Sequence, residues 1–384
     1  VDAEVVGDVD ADAIALAEAF AERQGWHAHS HARFGTAVLK GPGGERFDMA
    51  TSRIEHYPYP AALPEVEAGS IKADLFRRDF AINALAMEID GPRFGRLLDP
   101  FGGLRDIRQG TIRVLHSLSF VEDPTRIVRA VRFEAELGFR IDGASERLIR
   151  NAVDLDMPAR LSGHRLFREL RYLLECPAPG SGVARLSQLA MLPFIHGMLA
   201  GEEERAAVDR VERGEEVLDW YRLLYQPESP SQWKVLTLLL LWVLKPERLE
   251  TALDDYEVRS REAASLARDR ARAGEFTGAV GRREVSPDDD VALFEWLEQL
   301  SLDGLLACMA ASDDHRVKAG ISHYLQHLRG IRPALDGRQL RALGVAQGPA
   351  IGDWLQALTR ARVRGEVHDI EDEKALVRAG EIPA

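Results

Sequence analysis

The sequence predicts an α+β fold in which a small head, built on a mixed or antiparallel sheet, precedes a long all-helical run. Three observations carry this. The first hundred residues alternate between helical and strand periodicity, apolar residues beyond Val114 keep helical spacing almost to the end, and helix breakers divide that second part at Gly138, Pro158, Pro177, Pro193, Pro227 and Pro246. A length of 384 residues exceeds one ordinary core and predicts more than one domain.

The elements follow in order. "ADAIALAEAFAERQG" (11–25) has helical period and stops at Gly25, whereas "HARFGTAVLKGPGGERFDMAT" reads as two short strands about a Gly-Pro-Gly-Gly turn. A second strand pair brackets Gly91-Pro92, with "INALAMEID" before it and "RFGRLL" after. "DLFRRDFAINALA" (74–86) sets Arg77, Arg78 and Asp79 against an apolar run, and charges so placed need partners. In "LLDPFGGLRDI" (97–107), Asp99-Pro100 and Gly102-Gly103 form a turn that lets backbone approach closely. "SFVEDPTRIVRAVRF" (119–133) then opens a helix: Asp123 is placed to cap it at Pro124, Glu122 to pair with Arg126, and Ile127, Ala130 and Val131 to face a core. The apolar run "VLTLLLLWVL" (235–244) is about half the length of a membrane span and reads as a buried helix. "VRSREAASLARDRARAG" (258–274) interleaves acids with its arginines and reads as a solvated helix face.

Composition narrows the partners. A formal net charge of −13 argues against indiscriminate binding to nucleic acid. Between Leu115 and Glu175, however, ten Arg balance ten Asp or Glu, so all of the excess negative charge lies elsewhere and one face remains open to an anionic partner. Cys176 and Cys308 lie far apart without metal-ligand spacing, which predicts neither a disulfide framework nor a zinc site and fits a reducing cytoplasm. No membrane partner is expected.

Each motif alone has an ordinary structural explanation, but their order does not. "DLFRRDFAINALA", "LLDPFGGLRDI" and "EDPTRIVRAVRF" within sixty residues resemble the class II tRNA nucleotidyltransferase (CCA-adding) and bacterial poly(A) polymerase family. The resemblance extends upstream through "FDMATSRIEHYPYPAALPEV" and downstream to "LDGRQLRALGVAQGPAIGDWLQALTRARVRGEV", so it covers most of the chain. It implies a polymerase-β-like head over residues 1–114, a nucleotide-reading neck over 115–176, and an RNA-binding body and tail over 177–384. The implied activity is template-independent addition of CCA, or its terminal A, to tRNA 3′ ends from CTP and ATP. Poly(A) synthesis and a non-catalytic RNA-binding relative are the alternatives.

Residue roles follow from the same resemblance. Asp123 and Arg126 match the pair that reads the incoming base, since a carboxylate and a guanidinium together offer an acceptor and donors to a base edge. Arg129, one turn on, faces the triphosphate or the RNA. Arg78 and Asp79, supported by Asn83, match ribose recognition, with Ala81 where the family usually has threonine. Arg53 and Glu55 resemble a pair beside a flexible loop that shifts specificity from C to A, and the loop here holds Tyr57, Pro58, Pro60 and Pro64. Asp2 and Glu4 fall on the catalytic carboxylate positions for two Mg²⁺ ions, Glu4 standing where the family has Asp; Asp48 is a third candidate. The family's Gly-Gly-x-Val-Arg-Asp phosphate segment is expected upstream of Val1. In the tail, the Gly348-Pro349 helix start and Arg360 are expected to contact RNA.

Overall fold

The computed structural model describes residues 4–7, 12–32 and 35–380, with backbone alone at 4, 5 and 7. Asp2 therefore lies outside the described residues. The chain divides into two compact units, Val1–Ile195 and His196–Ala384.

In the first unit the chain runs β1 (Glu4–Gly7), α1 (Ala13–Gln24), β2 (His27–His31), β3 (Thr36–Lys40) and β4 (Arg46–Thr51). These strands form one mixed sheet in the order β1-β4-β3-β2, with β1 parallel to β4 and the other pairs antiparallel. Helix α1 packs on this sheet through Ala13, Ala17 and Ala21, whose four-residue spacing gives a smooth face, against Ala37, Leu39 and Met49. Its ends follow from local chemistry: the Asp12 carboxylate accepts from the Ile14 and Ala15 N–H groups, and Gly25 closes the helix at φ +68°.

Next come the antiparallel pair β5 (Arg53–His56) and β6 (Glu65–Ala68), joined by the proline-rich loop, then α2 (Ile71–Phe76). The expected second strand pair is present but only two residues long on each side, β7 (Ala86–Met87) with β8 (Leu97–Leu98). Its first half is shortened because Ala81–Asn83 turn as a 3-10 helix. That turn sits under α3 (Gly103–Gln109), which Asp99 caps by accepting from the Gly103 and Leu104 N–H groups at 2.7 and 3.0 Å. Strand β9 (Thr111–Ile112) pairs in parallel with β10 (Arg140–Ile141), between which lie α4 (Ser119–Glu122) and α5 (Thr125–Leu137); α6 (Gly143–Asp154), α7 (Gly163–Glu175), α8 (Pro179–Gln188) and α9 (Leu192–Ile195) complete the unit. Helix α5 buries Ile127, Val128, Ala130 and Val131 fully and packs on α7 and α8, as its periodicity predicts.

The second unit is helical throughout its described residues: α10 (Glu202–Arg222), α11 (Gln232–Leu240), α12 (Pro246–Asp255), α13 (Ser260–Gly281), α14 (Asp290–Leu297), α15 (Leu302–Ala311), α16 (His315–His323), α17 (Gly337–Ala342), α18 (Pro349–Val363) and α19 (Ile370–Ala379). The apolar run becomes α11, buried against α10 and α15, and among the described residues no helix is long and apolar enough to cross a membrane. A separate small core of Leu335, Leu340, Trp354, Leu358 and Val377 holds the last three helices together. There the fully buried Glu373 accepts from the Ala334 and Leu335 N–H groups and pairs with Arg362, an acid placed for structure.

The glycine pair of the "DPFGG" turn has a specific steric cause. A side chain at Gly103 would put its Cβ 2.1 Å from the Ala81 carbonyl oxygen, so α3 can lie on the 81–83 turn only without one. Gly103→Ala is expected to destabilise the first unit by about 1 to 3 kcal/mol, the usual cost of overpacking, in urea unfolding.

Candidate active site

The site is built around a buried acid that the sequence reading did not single out. Asp74, on α2, is fully buried and binds the next two arginines of the chain, Arg77 at 2.8 Å and Arg78 at 3.3 Å, while also accepting from the Arg53 N–H. Helical spacing brings this about, because positions three and four beyond an acid return to its side of the helix. Arg77 also reaches Glu55 at 2.9 Å, and Glu55 pairs with Arg53 at 3.3 Å. The expected Arg53–Glu55 pair is thus present and continues through Arg77 into α2. Tyr57 donates to Glu55 at 3.1 Å, and burial first, then the Glu55 charge, pushes its phenol well above the ordinary value.

Asp79 is the second centre. Its Oδ1 accepts from the Phe80 N–H at 2.8 Å and from Asn83 Nδ2 at 3.0 Å, and its Oδ2 takes Arg129 Nε and Nη2 at 3.0 and 2.5 Å. These four bonds match the carboxylate's acceptor capacity. Burial is the largest single influence on Asp79 and works to raise its pKa, but Arg129 and the hydrogen bonds outweigh it and hold the carboxyl below its usual range. Arg129 lies 3.6 Å from Glu169 on α7 as well. Its guanidinium thus joins Asp79 to Glu169.

Asp123 and Arg126 are each held by separate partners. The Arg126 N–H donates to the Asp123 carbonyl at 3.1 Å, but their side chains bond other groups. Asp123 Oδ1 accepts from Arg165 Nη2 at 3.0 Å and from the Thr125 N–H and hydroxyl at 3.1 and 2.5 Å. Arg126, 5% exposed, donates to Ser119 Oγ at 2.7 Å and to the Arg77 carbonyl at 2.8 Å. The cap is corrected too: the helix begins at Thr125 with Pro124 in the cap position, and Asp123 makes an Asx-type bond to Thr125 N–H from one residue further out. Proline fixes φ but has no side chain to cap with, which moves the capping acceptor back by one. Glu122 does not pair with Arg126; it lies 3.5 Å from His116. Burial raises the Glu122 carboxyl against the opposing pull of Arg126, and burial followed by the Arg126 charge lowers the His116 imidazole.

The structure thus gathers these residues into groups of the first unit: Arg53, Glu55, Arg77 and Arg78 about Asp74, with Arg126 on the Arg77 carbonyl; Asn83 and Arg129 on Asp79; and Arg165 on Asp123. Asp48 stands apart on β4, half-buried and paired with Arg46 at 3.1 Å, and the parallel register sets it opposite Glu4 on β1. Among the described residues no cluster of three or more His, Cys, Asp or Glu side chains is placed to hold a metal ion. In the second unit, Gly348 precedes α18 at φ +126° and Arg360 faces Glu298 at 4.0 Å. Arg165, Glu169 and Ser119 were missed. Arg165 and Glu169 bond partners at least 40 residues away in sequence and carry no local signal, whereas Asp74 was legible from its spacing to Arg77 and Arg78.

Residues 2–113 match the Poly A polymerase head domain family. The A-adding tRNA nucleotidyltransferase of Geobacter sulfurreducens is 39% identical over 96% of this chain, which spans 42% of that relative's length. The CC-adding tRNA nucleotidyltransferase of Deinococcus radiodurans is 31% identical over 94% of this chain and 80% of its own length. The chain belongs to the tRNA nucleotidyltransferase family. A Thermotoga maritima CCA-adding enzyme solved in complex with tRNA superposes with a TM-score of 0.72 at 26% identity, covering 98% of this chain and 85% of that one. The tRNA nucleotidyltransferase fold, a small sheet-based head followed by a largely helical body, is therefore that of this chain.

Two measurements test the network. Asp74→Ala removes the carboxylate shared by two arginines and is expected to cost about 3 to 5 kcal/mol in denaturant unfolding. For Asp79, the folded pKa lies below the unfolded one, so its stabilisation is complete above the unfolded value and is lost as pH falls through the folded value. The unfolding free-energy difference between wild type and Asp79→Asn should stay constant from about pH 7 to pH 5 and shrink only below about pH 4, near the free carboxyl range.

Proposed function

We propose that the chain catalyses template-independent addition of CCA, or its terminal A, to the 3′ end of tRNA from CTP and ATP. The observation that carries it is the separate anchoring of Asp123 and Arg126: each is held by other groups, so their remaining acceptor and donors are free to address a third party. Asp123 Oδ1 takes three donors from the chain and Oδ2 takes none among the described residues. Adenine and cytosine each present an amino group beside a ring nitrogen acceptor, which complements Oδ2 and an Arg126 N–H. Uracil and guanine present a carbonyl beside a ring N–H, which sets acceptor against acceptor. A protein without a template can therefore choose A and C together with one carboxylate and one guanidinium.

Ribose selection is assigned to Arg78 and Asp79. Because the acceptor sites of Asp79 are filled, the 2′-hydroxyl takes the place of the Asn83 amide on Oδ1 and accepts from Arg78. Arg129 keeps the carboxylate ionised and oriented while this exchange happens. Asp2, Glu4 and Asp48 would hold Mg²⁺, for which an all-carboxylate donor set is suited. When bound, the cation activates the primer 3′-hydroxyl and neutralises charge on the triphosphate. The Arg53–Glu55 pair and the loop after it belong to the change from C to A, and Gly348 and Arg360 are assigned to RNA contact. A cytoplasmic location accords with this substrate.

The decisive assay incubates the chain with tRNAs ending before CCA, after C and after CC, each with one labelled nucleotide. Incorporation of A on the CC-ending tRNA is expected, with UTP and GTP rejected; no incorporation on any of the three overturns the proposal. Asp79→Ala should lower the preference for ATP over dATP by a factor worth about 1 to 3 kcal/mol, the cost of an unpaired buried group, and unchanged discrimination moves the ribose site elsewhere. Asp123→Ser retains a hydroxyl able to bond the Thr125 N–H, so it should melt near the wild-type temperature while admitting UTP and GTP. Wild-type selectivity in that variant removes Asp123 from base reading.

A further inference from the structure

Arg165 lies outside every motif that relates this chain to its family reading of nucleotides, yet it touches two of the elements that reading depends on. It stands in the first turn of α7, with its backbone N–H on the Ser162 cap. Its guanidinium divides between partners distant in sequence: Nη2 donates to Asp123 Oδ1 at 3.0 Å, and Nη1 donates to the Ala61 carbonyl at 2.7 Å. Ala61 lies in the loop between β5 and β6, and its own N–H donates to the Glu122 carbonyl at 3.2 Å. The loop is therefore held at both peptide groups of one residue, by Glu122 and by Arg165, next to Asp123.

The backbone at Ala61 supports a specific holding force. Its φ of +63° is a conformation that a residue with a Cβ adopts only under constraint, and Ala61 is buried, 7% exposed, without being glycine. The bonds to Glu122 and Arg165 supply that constraint. At its start the same loop is tied through the Tyr57 hydroxyl to Glu55, and so to Arg53 and Arg77. One end of the loop thus answers to the Arg53–Glu55 pair and its middle answers to Arg165.

We infer that Arg165 is a positioning residue: it is the side chain through which the 57–64 loop, already assigned to the change from C to A, is latched to the base-reading carboxylate. The inference rests on the assignment of Asp123 to base reading. Arg165 and Thr125 together occupy Oδ1, which leaves Oδ2 pointing to a single task. When the loop leaves, Arg165 loses its carbonyl partner and Asp123 loses the geometry that presents Oδ2. Coupling of this kind is reciprocal, so disturbing Asp123 must loosen the loop by the same free energy with which loop release disturbs Asp123. A guanidinium suits this role because its planar fork spans two acceptors at once, which a lysine ammonium on a flexible stem does less well.

The test reads hydrogen exchange and incorporation on the whole chain. Without nucleotide, Arg165→Ala and Asp123→Ala should each speed amide exchange in peptides covering residues 57–64 by about tenfold or more, with peptides covering 77–84 unchanged. Arg165→Lys, which keeps the charge, should fold normally and show a smaller acceleration in the same peptides. In the tRNA assay Arg165→Lys should raise UTP and GTP incorporation relative to ATP and leave ATP over dATP at the wild-type value, because Asp79 and Arg129 are not touched. Unchanged loop exchange in both Arg165→Lys and Asp123→Ala overturns the latch. Failure of the wild type to incorporate any nucleotide, with the exchange changes present, instead overturns the proposed activity and leaves the mechanical link standing.

Discussion

The arrangement of the first unit depends on a carboxylate buried without solvent. Asp74 has no exposed surface, and a lone charge in that position would be prohibitively unfavourable; Arg77 and Arg78 make it tolerable. In return the acid dictates where both arginines lie. With Arg77 turned to Asp74 and Glu55, its carbonyl faces the neck and accepts from Arg126, and the residue after Arg78 is Asp79. The positions of Asp79 and Arg126 therefore both follow from a residue that touches neither.

The same logic recurs at each candidate functional group. Asp79 is oriented by Arg129, Asn83 and a backbone N–H, Asp123 by Arg165 and Thr125, and Arg126 by Ser119 and a carbonyl. A side chain that must discriminate between bases by hydrogen bonds alone cannot be allowed to rotate toward the wrong one, so its spare bonding capacity is used to fix it. Burial strengthens these bonds by excluding water, and it also makes each of them costly to break. In the proposed function, charged residues of this unit are thus both the means of recognition and its support.

The loop between β5 and β6 is attached in a different way. It has few regular hydrogen bonds of its own, and what holds it is a small number of directed contacts at Tyr57 and Ala61. Its buried residues, Ala61 and Ala62, are small, so the apolar surface that ties the segment down beside those directed contacts is slight.

Periodicity and turn chemistry alone determined the elements: α1 and its Gly25 stop, β3 and β4 about the glycine turn, the core face of α5 and the burial of α11. These are local signals, since apolar spacing and capping residues act over a few positions. The motif order determined the family and which residues to examine. Tertiary structure alone decided who holds whom. Asp123 could have turned to Arg126, three residues on, and sequence spacing favours that; the packing of α7 on α5 brings Arg165 closer and gives it a second acceptor at Ala61, 104 positions away. Likewise Arg129 meets Asp79 across 50 residues because the 77–80 turn is pressed against α5. A guanidinium bonds the acceptor that lies at the right distance and angle, and those are set by how helices stack, which no window of the sequence contains.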